Sequence, residues 1–160
     1  MIKVKIIALG KLKEQYLSQA SAEYQKRLKN YCNLEIVEIT PKSLSDNPSN
    51  AEINAALEKE ADLILQKIPN NAYILPLCIE GKQFSSEEFS QKIENSVNLG
   101  KSTVVFIIGS SHGLSERVKQ RANVKISFSK MTFPHMLARI MLLEQIYRAF
   151  KIKEGSAYHK

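Results

Sequence analysis

The sequence predicts an α/β fold in which a mainly parallel sheet is flanked by helices. Two kinds of segment alternate along the chain. Short runs are apolar or strictly alternating, as in strands, and longer stretches have apolar residues at helical spacing. This β-α-β-α order is typical of parallel sheets with crossover helices. No internal repeat and no linker rich in Gly or Pro divides the chain, so residues 1–160 are predicted to form a single domain.

The first half of the chain contributes two strands and two helices to this prediction. Its strand-like runs stop at a glycine or at a polar stretch containing two prolines, and its second helical stretch stops at a Pro-Asn-Asn sequence. The predicted elements are, in order, a strand over 2–9 that ends at Gly10, a helix over 13–31, a strand over 33–40, a loop over 41–50 and a helix over 51–68.

The second half contributes three strands and three helices. Pro76 interrupts an apolar strand and cannot donate to a central ladder, so that strand either lies at an edge or ends early on one side. Ser85 and Glu88 form a capping box, and residues 103–108 are apolar enough to be buried on both faces. The predicted elements are a strand over 73–79, a helix from Ser85 to Gly100, a strand over 103–108, a short helix over 114–121, a strand over 124–128 and a long helix from Pro134 to about Lys153.

Composition excludes several classes of protein. Hydrophobic residues make up 44% and charged residues 24%, with six Gly and five Pro, so collagen-like, low-complexity and disordered chains are excluded. No apolar run approaches the roughly 20 residues of a membrane-spanning helix, and the N-terminal residues alternate at once as a strand does. Cys32 and Cys78 have no metal-type spacing. We therefore expect a reduced cytoplasmic protein with neither a metal site nor a membrane association.

Positive charge is concentrated in the last part of the chain. The formal net charge is +7, and residues 101–160 contain 11 Lys and Arg but only three Glu. A basic segment of this kind attracts polyanions, above all nucleic acid. The alternative is a solvated basic face that contributes only to solubility.

Three loops are predicted to form a ligand site. In a parallel sheet, ligands bind outside the carboxyl ends of the strands, and the loops at those positions after the last three strands are 77–82, 109–113 and 129–133. The second loop, Gly-Ser-Ser-His-Gly, matches the G-x-S-x-G pattern of serine hydrolases, with Ser111 as nucleophile and Glu144 and His159 following in the required order. The alternative is a cradle in which the glycines let backbone approach a ligand closely. A chain of 160 residues leaves little room for the rest of a hydrolase.

The start and the composition of the last helix are also informative. Free amides at its first turn suit a polar or anionic ligand group. His135 lies in that turn, where the helix dipole disfavours a cationic imidazole; alternatively it only packs or caps locally. The helix has more apolar surface than one stripe needs, which predicts a homo-oligomer, unless the helix is central to one core. The polar tail over 154–160 is predicted to be unstructured by itself.

Segments along the whole chain resemble the RlmH (YbeA-like) family, which are SPOUT-class methyltransferases of ribosomal RNA. The most specific are the block from Phe128 to His135 and the terminal Tyr-His-Lys; the others are Val4–Lys11, Glu23-Tyr24, Lys26–Leu28, Phe106–Gly109, Gly113-Leu114 and Glu144–Ala149. The resemblance implies an enzyme that uses S-adenosylmethionine to methylate N3 of pseudouridine 1915 of 23S rRNA in assembled ribosomes. It also implies a homodimer whose chain ends in a trefoil knot.

The resemblance also implies site residues. Carried over by position, the cofactor residues are Leu77, Gly109, Phe128, Ser129, Lys130, Met131, Thr132 and Phe133. Ser110 stands where the family commonly has a second glycine, so Ser110 has a negative φ or accepts strain.

Catalytic roles are expected for side chains that handle the N3 proton. Donors aimed at the two flanking carbonyl oxygens would stabilise the developing anion. Arg139, Tyr158 and His159 are the candidates for that role, and His135 is a candidate proton acceptor or RNA contact. Arg139 follows His135 by four positions on the same helix face, and it could instead bind a phosphate. A non-catalytic ribosome-binding factor and the Ser111 hydrolase remain the alternative functions.

Overall fold

The computed structural model describes residues 1–160 as five strands alternating with five helices. The elements are β1 (Ile2–Leu9), α1 (Gln15–Leu28), β2 (Cys32–Ile39), α2 (Asn50–Lys67), β3 (Ala72–Gln83), α3 (Ser86–Asn98), β4 (Thr103–Ile108), α4 (Glu116–Lys119), β5 (Ile126–Ser127) and α5 (His135–Glu154). The five strands form one sheet in the order β2-β1-β4-β3-β5, and all its pairings are parallel. The predicted α/β fold with a parallel sheet is confirmed. Strand order does not define how the chain threads, so the trefoil knot stays a prediction from the resemblance.

The sheet separates two hydrophobic cores. Alternate residues of β1 face opposite sides, with Val4, Ile6 and Ala8 in one core and Ile7 and Leu9 in the other. The first core is closed by α1, α3 and α5, and the second by α2 and α4. Every residue of β4 is buried, as expected of a strand covered on both faces.

Pro76 marks the point at which β3 changes partner. Pairing with β4 ends where Pro76 faces Ile107, and pairing with β5 begins at Leu77. The strand lies inside the sheet, so the prediction of an edge position is wrong and the prediction of an early end on one side is confirmed. The missing N–H of proline falls at the end of the β4 ladder, where its loss costs little.

The last two strands differ in length from the prediction. Beyond Pro76, β3 continues to Gln83 through a bulge, because Leu77 and Lys82 both pair with Ile126. The fifth strand covers Ile126–Ser127 only, instead of 124–128. Before it, the Asn123 side chain accepts the N–H of Ile74 at 2.8 Å and the Asn123 N–H donates to the Ile74 carbonyl at 2.8 Å. These hydrogen bonds make a turn where alternation alone predicts strand.

Helix ends follow local capping chemistry. Capping boxes start α2 at Ser49 and α3 at Ser85, the second of them as predicted. The fourth helix has only four residues after its N-cap, Ser115. Pro134 has an extended ψ of 133°, so it precedes α5 instead of forming its first residue.

The polar tail packs against α3 and α5 of its own chain. The Tyr158 ring packs edge-on against Tyr147 at 5.1 Å between centroids, and the Arg148 guanidinium lies 4.8 Å from the Tyr158 ring. His159 bonds to Glu87 of α3 at 2.5 Å and to Arg148 of α5 at 3.1 Å. Aromatic and ionic partners on two helices therefore hold a segment that is too polar to fold by itself.

The cysteines behave as small apolar residues. Both are free and buried, and burial raises the pKa of the Cys32 and Cys78 thiols to about 11, so both stay protonated at neutral pH. No cluster of three or more His, Cys, Asp or Glu side chains has a geometry that could hold a metal ion. None of the helices is both long and apolar enough to cross a membrane.

Candidate functional site

A cleft of about 720 Å³ opens at the carboxyl ends of β3, β4 and β5. The three loops selected from the sheet rule all contribute to it, together with the first turn of α5. Of the predicted cofactor residues, those that line the cleft are Leu77, Gly109, Phe128, Ser129, Met131, Thr132 and Phe133. Lys130 is exposed and does not line it.

The loop after β4 is a tight turn that requires glycine. The Gly113 N–H donates to the Ser110 carbonyl at 2.9 Å, and Gly113 has a φ of +86°. A Cβ on Gly109 would lie 2.4 Å from the Gly113 carbonyl oxygen. Gly109 is therefore needed for the turn's own backbone packing, which holds the cleft wall in place.

Ser110 fits this turn without strain. Asn71 is the only non-glycine residue with a positive φ, so Ser110 has the negative φ that an L residue prefers. Its hydroxyl lies 3.4 Å from the Oε1 atom of Glu60 on α2 and donates to it.

The structure does not assemble a hydrolase triad around Ser111. The other two members of the predicted triad, Glu144 and His159, do not line the cleft that contains Ser111. The Glu144 carboxylate is bonded to Arg148 at 2.6 Å, and His159 is bonded to Glu87. Neither predicted partner is therefore placed to form a triad with the Ser111 hydroxyl.

Side-chain hydrogen bonds shape the loop after β5. The Ser127 hydroxyl donates to the Ser129 carbonyl at 3.0 Å, and the Ser129 hydroxyl accepts the Met131 N–H at 3.0 Å. Such local bonds fix short turns. Met131 is left 74% exposed at the mouth of the cleft.

His135 lines the cleft from the first turn of α5. Burial lowers the pKa of its imidazole, and the nearby positive charge of Arg139 lowers that pKa further. The imidazole is therefore neutral at pH 7 and has a nitrogen lone pair with which to accept a proton.

Arg139 is buried next to the cleft instead of lining it. Only 2% of the residue is exposed; its Nη1 donates to Glu38 at 2.6 Å and its Nη2 to the Gly10 carbonyl at 2.9 Å. Its Nε atom is buried without a partner. The guanidinium thus fastens α5 to the ends of β1 and β2, and its burial leaves no surface for a phosphate.

Tyr158 and His159 line neither this cleft nor a second one of about 450 Å³. This second cleft is lined by residues of β5, α3 and α5, among them Phe84, Ser86, Phe128, Met141, Glu144 and Gln145. Phe128 lines both clefts. Within one chain, the four predicted catalytic residues therefore do not form one site.

Sequence reasoning missed two residues near the main cleft, Glu60 and Gly81. Glu60 is 3% exposed and occupies a position at which the apolar stripe of α2 would continue, between Leu57 and Ile64. A charged residue at such a position is a signal that could have found it. A Cβ on Gly81 would lie 2.6 Å from the Ile126 backbone, so that glycine permits the β3–β5 contact.

Much of the positive charge in the last part of the chain is paired with carboxylates. More than half of its bases form ion pairs, namely Arg117, Lys119, Arg139, Arg148, Lys151 and Lys153. Lys11, Lys13 and Lys42, which follow β1 and β2 at the same sheet edge as the cleft, are exposed and form no ion pair. Free positive charge is therefore available near the cleft from the first part of the chain as well.

A parallel sheet with a cleft formed by the loops after its last three strands defines an α/β protein that binds a ligand at the carboxyl edge of its sheet. A family described as "Predicted SPOUT methyltransferase" matches residues 2–159. The chain belongs to this family, as the resemblance predicted.

Relatives cover the chain almost completely. "Ribosomal RNA large subunit methyltransferase H" of Clostridium botulinum (strain Okra / Type B1) is 54% identical over 98% of this chain and 99% of its own length. The proteins of the same name from Streptococcus uberis and Leuconostoc mesenteroides are 51% and 50% identical, over 99% and 98% of this chain and 100% and 99% of their own lengths. The resemblance to the RlmH family is confirmed.

Proposed function

We propose that the protein transfers a methyl group from S-adenosylmethionine to N3 of a pseudouridine in large-subunit ribosomal RNA, acting on assembled ribosomes in the cytoplasm. The cleft at the carboxyl edge of the sheet carries this proposal, because it gathers seven of the eight cofactor residues that the resemblance implies. Full-length relatives named for methylation of large-subunit RNA support the choice of substrate.

The residues of the cleft fit a nucleoside methyl donor. Its volume of about 720 Å³ lies within the range of small-molecule sites. Leu77, Phe128 and Phe133 give apolar walls for an adenine ring, and Ser129 and Thr132 offer hydroxyl groups to polar atoms. When bound, the donor supplies an electrophilic methyl group on a sulfonium sulfur.

The protein's own contribution is alignment and the handling of one proton. The N3–H of the base lies between two carbonyl groups, and its anion is the better nucleophile. The neutral imidazole of His135 faces the cleft and accepts the proton. Buried Arg139 acts through position, because it fixes the first turn of α5; its charge also adds to the effect of burial, which is the main cause of the lowered pKa of His135.

Replacing His135 with alanine is expected to lower the single-turnover rate on ribosomes by a factor of roughly 100 or more, the usual loss for a general base. In the wild type the rate is expected to fall as the pH drops through the lowered pKa of His135, since protonation removes its lone pair. The measurement is methyl incorporation from labelled donor at a series of pH values. His135→Gln, which keeps polarity without basicity, serves as the matched variant. A folded His135→Ala protein with the wild-type rate would exclude the assignment.

A homodimer is part of this proposal. On α5, Leu137 is 42% exposed, and Met141 lines the second, 450 Å³ cleft together with Phe84 and Phe128. A second copy of the chain that packs on this face would bury apolar surface. Tyr158 and His159 do not line the donor cleft of their own chain, so any contact of the tail with that cleft is expected from the second copy.

Deleting residues 158–160 is expected to reduce turnover at least tenfold and to leave donor affinity within about twofold. Tyr158 and His159 lie outside the donor cleft. Their catalytic role is therefore expected to be toward the RNA base and not toward the donor. Turnover on ribosomes and calorimetric titration with the donor give the two quantities. Equal losses in both would show that the tail supports the donor cleft itself.

The experiment that tests the function is mass spectrometry of ribosomal RNA from cells with and without the protein. The pseudouridine methyl group is expected to be absent without it and to be restored when purified protein and donor are added to those ribosomes. Free 23S rRNA is expected to be a poor substrate, because a small chain relies on ribosome shape for specificity. Donor binding and ribosome binding without methyl transfer would favour the non-catalytic ribosome-binding factor instead.

A further inference from the structure

Glu60 is a buried carboxylate in the middle of α2. Only 3% of the residue is exposed. It lies against a third cavity of about 280 Å³, between α2, the loop after β2 and the loop after β4. Charged side chains are rarely this buried unless they are paired.

The partners of Glu60 within the chain are all neutral. Its Oε2 atom accepts the Lys42 backbone N–H at 3.1 Å, and its Oε1 atom accepts the Ser110 hydroxyl at 3.4 Å. No Lys, Arg or His side chain lies within ion-pair distance of it, whereas buried Arg139 has Glu38 at 2.6 Å. A buried anion without a cation costs free energy, and an added cation would recover it.

The cavity at Glu60 adjoins the donor cleft. Ser110, Ser111 and His112 line both cavities, so the turn after β4 is their common wall. A ligand long enough to extend from the donor cleft past this turn would enter the cavity that Glu60 lines. The cation that Glu60 lacks can therefore come from such a ligand.

We propose that Glu60 binds the α-ammonium group of the methyl donor. This assignment rests on the proposed function, since it takes S-adenosylmethionine as the ligand of the main cleft. The apolar walls suit the adenine end, which leaves the charged amino-acid end to extend toward the turn after β4. The Ser110 hydroxyl then orients the carboxylate at the edge of the cleft, a role that glycine at this position could not perform.

Calorimetric titration of the whole protein with four ligands tests the assignment. S-adenosylmethionine, S-adenosylhomocysteine and decarboxylated S-adenosylmethionine all have the ammonium group, and 5′-methylthioadenosine lacks it. Glu60→Gln removes the charge, keeps one oxygen to accept the Lys42 N–H, and gains an amide N–H that can donate to the Ser110 hydroxyl. It is expected to weaken the three ammonium ligands roughly tenfold or more, the value of a charge-assisted hydrogen bond, and to change 5′-methylthioadenosine affinity less than twofold.

Asp62→Asn is the matched control, because it removes one negative charge from the exposed face of the same helix, where Asp62 pairs with Arg117. It is expected to change none of the four affinities. Should Glu60→Gln not fold, Glu60→Asp, which withdraws the carboxylate, is expected to show the same contrast between ligands.

Three results would overturn the assignment. Equal weakening of all four ligands would mean that Glu60 only supports the turn. Weakening confined to the two sulfonium ligands would place the sulfonium at Glu60. Unchanged affinities would mean that the carboxylate does not meet the ligand. A wild-type protein that binds none of the four would instead overturn the proposed function, and this assignment with it.

Discussion

Replacing Gly109 with alanine is expected to reduce kcat/KM by roughly a hundredfold, the loss that follows a displacement of about 1 Å in a site. The added Cβ would lie 2.4 Å from the Gly113 carbonyl oxygen and 2.7 Å from its carbon. Both are backbone atoms, so the clash cannot be relieved by a side-chain rotation. The turn after β4 must move, and with it the wall of the donor cleft. Methyl transfer to ribosomes and calorimetric donor binding measure the effect.

Gly100→Ala is the matched control for this change. Gly100 follows α3 at the opposite edge of the sheet, has a φ of +71°, and has nothing within 4 Å of an added Cβ. The substitution introduces backbone strain of about 1 kcal/mol without touching the cleft. Its kcat/KM is expected to stay within twofold of wild type. If both variants lost activity equally, general destabilisation, and not the turn after β4, would be responsible.

The sheet and the position of the cleft follow from local patterns in the sequence. Alternation and helical spacing depend on neighbouring residues, and the order of elements then requires parallel strands. Since ligands bind at the carboxyl ends of such strands, three loops could be selected before any family resemblance was used. The resemblance then supplied eight cofactor residues, of which Lys130 alone lies outside the cleft.

Features that depend on distant contacts could not be predicted in this way. The turn before β5 requires Asn123 to bond with Ile74, which is 49 positions away. Helical spacing correctly places Arg139 on the same helix face as His135. Its ion-pair partner Glu38 is 101 positions away in the sequence. The sequence therefore indicated Arg139 as a catalytic candidate and could not show its structural role. The polar tail, similarly, is ordered by side chains of α3 and α5 that composition does not reveal.

Glu60 is a different case, because its signal is present in the sequence. Ile53, Leu57 and Ile64 predict a buried stripe on α2, and Glu60 falls on that stripe. A search for helical spacing overlooks a single charged residue on such a stripe. The structure shows that Glu60 is buried there without a cation. Departures from a hydrophobic pattern mark positions at which folding alone does not explain the residue.

Glu38→Gln is expected to lower the free energy of unfolding by about 2 kcal/mol, less than for a fully buried ion pair, because the Arg139 side chain is buried but the Glu38 side chain is 36% exposed. The Arg139 side chain is 3% exposed, and its charge would be left with only neutral acceptors, the amide oxygen of the substituted side chain and the Gly10 carbonyl. Since this pair holds α5 against the ends of β1 and β2, the first turn with His135 is expected to loosen too. Urea unfolding followed by circular dichroism gives the change.

Two further variants separate burial of the charge from loss of a surface contact. Glu35→Gln removes a carboxylate from the same strand. That carboxylate is 63% exposed and forms a surface ion pair with Lys5 at 3.4 Å, so its loss is expected to cost less than about 1 kcal/mol. Adding Arg139→Met to Glu38→Gln removes the stranded charge and is expected to recover most of the stability. Two results would contradict this prediction: similar losses for Glu35→Gln and Glu38→Gln, or no recovery in the double variant. Either would show that stability does not depend on the buried guanidinium. The positioning role of Arg139 would then lose its physical basis.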